Sequence, residues 1–208
     1  MASSNYDSVT STALCGFDKY PPQKLEDQNR GLTEGFTEII TFTGVLNSIE
    51  IASDYCIEVL LLQQLMQIIG TEELIKCYFS NLGIEPIKQK LQEIILNPNM
   101  SYQLFRNIEL NYQIRHSDEQ QNVLAAIQST LVDYLTAKIE KMSNLDKDEE
   151  IKKLLSTYEL YLITPEILQL MKKNPSNYIG LSTSIEKFYQ LKNEIIGLQS
   201  EDLDKKSK

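Results

Sequence analysis

The most apolar stretch of the chain, Val45 to Ile69, predicts one long helix around which the rest packs. Asn47 and Ser48 suit its start as caps, no glycine or proline interrupts it, and Gly70 stops it. Asn47, Glu50, Asp54 and Glu58 recur at three- and four-residue spacing and make one polar stripe. The stripe ends at Val59-Leu60-Leu61-Leu62, where the helix becomes apolar all round and needs neighbours on every side.

Other segments give shorter helical patterns. Lys24 to Thr43 is a weak one, with Leu32, Phe36, Ile39 and Ile40 on one face; Gly31 and Gly35 weaken it, and its threonines also suit a strand. Thr71-Glu72-Glu73 opens a helix with Leu74, Ile75, Tyr78 and Phe79 on its apolar face, ending at Asn81-Leu82-Gly83. Pro86 sits in the first turn of the next helix, whose Ile87, Leu91, Ile94 and Ile95 share a face, and Asn97-Pro98-Asn99 breaks it. Ser101 to Ile114 alternates in places, and helix is preferred because a lone strand lacks a partner. Ser117-x-x-Gln120 is a capping box before Val123, Leu124, Ile127, Leu131, Tyr134, Leu135, Ile139 and Met142. Asp146 to Glu149 starts a helix facing inward with Ile151, Leu154, Leu155, Tyr158 and Leu162. Thr164-Pro165-Glu166 starts another, running to Asn174-Pro175, and Thr183-x-x-Glu186 opens the last, ending near Gly197.

Leu74-Ile75-Lys76-Cys77-Tyr78 to Leu82, Ile84 and Pro86 echoes Leu154-Leu155-Ser156-Thr157-Tyr158 to Leu162, Ile163 and Pro165. Helix–proline–helix turns resemble one another whatever their origin, and that is the preferred account; a true repeat implies stacked hairpins. The expected fold is therefore an all-α, single-domain bundle of about seven to nine helices around a central buried helix, with a short α-solenoid of hairpins as the alternative. No hairpin of strands is signalled. Residues 1–23, Ser/Thr-rich up to Pro21-Pro22, read as a flexible arm that Leu14 and Phe17 could dock. Residues 24–199 form the helical domain and 200–208 a frayed charged tail.

The chain has 208 residues, 42% of them hydrophobic, enough for one sizeable core. Its net charge of −9 argues against a phosphate-binding surface and so against nucleic acid. A helix-turn-helix pattern from Glu73 to Leu91 places Phe79 where a small residue belongs, and its reading helix carries only Lys88 and Lys90. Lys152-Lys153 and Lys172-Lys173 are too short for a membrane-binding face, and no apolar run is long enough to span one. No signal peptide is visible, and Cys15, Cys56 and Cys77 do not make a disulfide framework, so a reducing, cytoplasmic setting is expected.

Searches for chemistry return little. The single histidine, His116, has no glutamate three residues before it, which excludes a di-iron carboxylate bundle and leaves the stripe of Glu50, Asp54 and Glu58 as a solvated face, with a surface for a basic partner as the alternative. The cysteines lie too far apart for structural zinc, and Gly31 to Gly35 has the wrong spacing for a phosphate loop. No cofactor is implied. What remains is a cytosolic protein–protein interaction or regulatory module, with self-association compatible. The eleven tyrosines suit a core rim or an interface. The scarcity of arginine beside abundant lysine and the charged tail are compatible with an effector delivered into another cell without a signal peptide. The alternative is a cysteine-dependent enzyme using Cys15 with His116 as base.

Overall fold

The structure, a computed structural model, describes residues 4–7, 12–15, 17, 29–41, 55–80, 82–115, 119–143, 147–170 and 179–206. The protein is an all-α bundle. Among the described residues the helices are α1 (Arg30–Thr41), α2 (Cys56–Ile69), α3 (Thr71–Tyr78), α4 (Glu85–Ile94), α5 (Pro98–Gln113), α6 (Gln120–Ser143), α7 (Asp148–Glu159), α8 (Pro165–Leu170) and α9 (Ile179–Lys206). Two short strands precede them, β1 (Ser4–Asp7) and β2 (Thr12–Cys15), antiparallel with Ser4 opposite Cys15 and Asp7 opposite Thr12. This hairpin was not expected. Its strands are too short to show an alternating pattern, and no Asn-Gly or Asp-Gly dipeptide marks the turn between them.

Burial of α2 follows from its composition. Ile57, Leu61, Leu62 and Leu65 are inaccessible, and each such side chain contributes about 1.5–3 kcal/mol through removal from water. Around α2 stand α1, α3, α4, α6 and α7. A second helix shares the centre: α6 packs on α2, α4, α5, α7 and α9, and buries Leu131, Val132, Tyr134 and Leu135. Contacts between elements so far apart in sequence make a bundle rather than a row of stacked hairpins.

The solvated stripe needs correction at Glu58. Asn47, Glu50 and Asp54 lie outside the described residues, but Glu58 is only 3% exposed, because α1 lies on that face. The cause is Gly35. A Cβ there would stand 2.9 Å from the Glu58 carbonyl carbon and 2.9 Å from Leu62 Cδ1, so the helices meet backbone to backbone. One turn earlier Gly31 meets α5 in the same way, 3.0 Å from Tyr112 Cβ. The two glycines that weaken the helical pattern of this segment are what let it wedge between α2 and α5.

The start of α1 is tied down by polar groups. The Gly31 N–H donates to Oε2 of Glu109, a buried carboxylate, at 3.3 Å, which offsets the positive end of the helix. Phe17 docks just ahead of it. Its N–H donates to Thr33 Oγ1 at 3.2 Å, its carbonyl accepts from Asn29 Nδ2 at 3.1 Å, and its ring is fully buried against Phe36 and Tyr78.

Elsewhere the local signals held with shifts. Residues 101–113 are helical within α5. Asn97-Pro98 is this helix's opening as well as a break: Asn97 Oδ1 accepts from the N–H groups of Asn99 and Met100 at 3.1 and 3.4 Å. The Ser117 capping box and Asn174-Pro175 fall outside the described residues. Helix α9 opens at Ile179, ahead of Thr183, and continues through Gly197 to Lys206. In its first turns Leu181 and Ser184 are buried, and Gly180 sits where a Cβ would be 3.2 Å from Ala125 Cβ of α6.

Candidate functional site

The densest polar cluster lies in the core between α2, α6, α7 and α9. Tyr158 donates to Gln64 Oε1 at 2.9 Å, and Gln64 Nε2 donates to the Tyr161 carbonyl at 2.8 Å and to Gln128 Oε1 at 3.4 Å. Gln128 in turn donates to Ser184 Oγ at 2.9 Å and to the Ile163 carbonyl at 3.3 Å, and accepts from the Ile163 N–H at 2.8 Å. Gln64 and Gln128 are inaccessible, and burial pushes the Tyr158 hydroxyl well above the usual tyrosine range. Every member has a hydrogen-bond partner, so the cluster fixes how four helices meet. Its residue types are ordinary; only the tertiary contacts of Gln64 and Gln128 mark it.

The sequence candidates for catalysis separate as follows. The Cys15 side chain and all of His116 lie outside the described residues, so the pair has no geometry here. Cys56 and Cys77 are buried, and the Cys77 thiol is pushed above its ordinary value, first by burial and then by Glu73. An activated nucleophile requires the opposite shift. Among the described residues, no group of three or more His, Cys, Asp or Glu side chains could hold a metal ion, and no helix is long and apolar enough to cross a membrane. Arg115 packs over Tyr55 and Tyr112, 5.7 and 5.2 Å from their ring centres, a cation–π stack at one end of α5.

The surface offers more. Helix α3 turns inward with Leu74, Cys77 and Tyr78. Ile75 and Phe79, expected on the inner face, point outward instead, at 43% and 57% exposure, and Leu82 in the following turn is 62% exposed. Leu74, Cys77 and Tyr78 at i, i+3 and i+4 already complete the buried arc, which was the available sign that Ile75 and Phe79 lie beside it. The turn is held in place: Phe79 N–H donates to the Ile75 carbonyl at 3.2 Å, Ser80 Oγ to the Cys77 carbonyl at 2.9 Å, and Leu82 N–H to Ser80 Oγ at 3.2 Å. An ordered apolar ledge results, with the Phe79 ring edge-on to buried Tyr78 at 5.1 Å. Glu72 and Glu73 occupy the first turn of the same helix.

No family model matches this chain, and no curated protein or solved structure matches it either. The functional reading therefore rests on residues and geometry alone.

Proposed function

We propose that the protein is a helical protein-binding module whose contact surface is the ledge of Ile75, Phe79 and Leu82. The observation that carries this reading is the exposure of Phe79 at the end of a helix where the Phe79 and Ser80 N–H groups donate to the Ile75 and Cys77 carbonyls. A rigid, exposed aromatic anchor loses little conformational freedom on binding, and aromatic residues concentrate at interface centres. The partner that fits presents an apolar pocket with a basic rim, complementary to Glu72, Glu73 and a net charge of −9. A cytosolic setting belongs to the same reading and rests on cysteine usage. It extends to the cytosol of a cell into which the protein is delivered.

A photo-cross-linking residue placed at Phe79, and separately at exposed Glu186 on α9, tests the proposal in cells. A discrete adduct at position 79 that is missing at 186 and lost with Ile75→Ser/Leu82→Ser is the expected result. Identical adducts at both positions, or none at 79, overturn it. Sedimentation of the purified chain shows whether the partner is a second copy.

A further inference from the structure

At the opposite end of α3 from the ledge, residues of α2, α3, α6 and α7 line a groove of about 470 Å³. Pockets of this size hold small organic molecules. Its walls carry Lys138 from α6, Lys147 at the start of α7 and Lys153 six residues further on, against a single carboxylate among the described lining residues, Glu150. Three ammonium groups against one carboxylate is an inversion of charge in a chain whose net charge is −9.

These cations are not all committed to internal work. Lys138 Nζ donates to the Gln67 and Ile68 carbonyls at 2.7 and 2.9 Å, which closes the end of α2 but leaves its charge without a carboxylate. Lys147 pairs with Glu150 at 3.1 Å, on the surface, where such a pair is weak. Among the described residues Lys153 has no ion-pair partner. Gly70, held at φ +97°, joins α2 to α3 and brings Thr71, the first residue of α3, to the groove wall, with Glu72 and Glu73 in the same first turn. Met66, Met142 and Leu154 supply an apolar lining, and methionine adapts its shape to what lies on it.

We infer that this groove binds a small organic anion with a short apolar body, the head held by Lys147 and Lys153 and the body lying on Met66, Met142 and Leu154. The head is a carboxylate or a phosphate monoester, since either satisfies two ammonium groups. This site is independent of the ledge, and either can fail without the other.

The test uses the full chain labelled with carbon-13 at methionine methyls, titrated with octanoate and with octyl phosphate. Octyltrimethylammonium supplies the same body with opposite charge, and inorganic phosphate supplies the head alone. Saturable shifts of the Met66 and Met142 signals, with Met100 unmoved, are expected from one or both anions, and which one answers identifies the head. Lys147→Glu/Lys153→Glu should weaken that binding by about tenfold or more, the effect of removing two surface ion pairs and adding repulsion. Lys153→Gln, which reverses no charge, should weaken it less. Both positions are surface ones, and circular dichroism checks that the helices persist. Absence of shifts with both anions, equal shifts with the ammonium compound, or unchanged affinity in the lysine variants would each overturn the assignment. Equal affinity for inorganic phosphate and octyl phosphate would overturn the apolar half of it.

Discussion

The hairpin of α3 and α4 and the hairpin of α7 and α8 carry the same framework of leucine, tyrosine and proline, and each buries its tyrosine under a neighbouring helix. Phe36 of α1 packs on Tyr78 at 4.5 Å between ring centres, and Phe188 of α9 packs on Tyr158 at 5.5 Å. From there the two diverge. Tyr158 places its hydroxyl in the fully buried amide network of Gln64 and Gln128. Tyr78 meets the half-buried Thr37 hydroxyl at 2.9 Å, inside an aromatic cluster completed by Phe17. The next residue differs as well. Glu159 is paired with Lys192 of α9, whereas Phe79, its counterpart, stands out into solvent. The α7–α8 hairpin ties this position to α9 through its own chain, although Leu160 beside it and Leu170 in α8 are exposed. The other has an inner anchor and an outer apolar ledge, and this contrast makes the ledge a candidate for an external partner.

The strongest challenge to this contrast is Phe188→Ala, which removes the cover from Tyr158. Loss of a fully buried aromatic should cost about 3–5 kcal/mol in urea unfolding. Next come the paired variants Tyr158→Phe and Tyr78→Phe. The first strips the donor from buried Gln64 and should cost about 1–3 kcal/mol; the second leaves a half-buried hydroxyl that water can reach, and should cost about 1 kcal/mol or less. A larger loss from Tyr78→Phe would show the two hairpins to be anchored alike.

Alkali should expose the same asymmetry. Burial pushes Tyr134 on α6 up to about 12 and Tyr158 well above the ordinary value. Groups whose folded pKa is raised favour the native state fully below their unfolded value near 10, and that contribution disappears as pH climbs through the folded value. Unfolding midpoints should therefore fall between about pH 10 and pH 12. Tyr134→Phe should flatten the fall without loss at neutral pH, since its buried hydroxyl has no hydrogen-bond partner among the described residues. The smallest effect on stability belongs to Phe79→Ser, within about 0.5 kcal/mol as for exposed positions generally, while it should abolish capture of a partner at the ledge. A large destabilisation would mean that Phe79 serves the fold instead.

Much of this architecture was legible in the chain. The apolar run from Val59 predicted a helix buried on nearly all sides, and i, i+3, i+4 patterns placed Leu74, Ile87, Leu91, Ile151 and Tyr158 inside. Proline marked the starts of α4 and α8, because ring constraints act within a few residues, while Asn97-Pro98, read as a break, is in fact the start of α5. What was not legible depends on distant partners. Gly31 and Gly35 read as weak points until α2 and α5 came within backbone contact of them. Glu58 read as solvated until α1 covered it. Ile75 and Phe79 read as core because sequence spacing gives the width of an apolar arc but not where its edge falls against a neighbour. Sequence alone determined that the described chain from Arg30 onward is helical and roughly which side of each helix is apolar, since those follow from short-range sterics and periodicity, but it did not show the hairpin of β1 and β2. Only the tertiary structure decided which apolar residues stay outside, which polar ones go in, and which lysines gather around one groove, because each is settled by helices brought together from opposite ends of the chain.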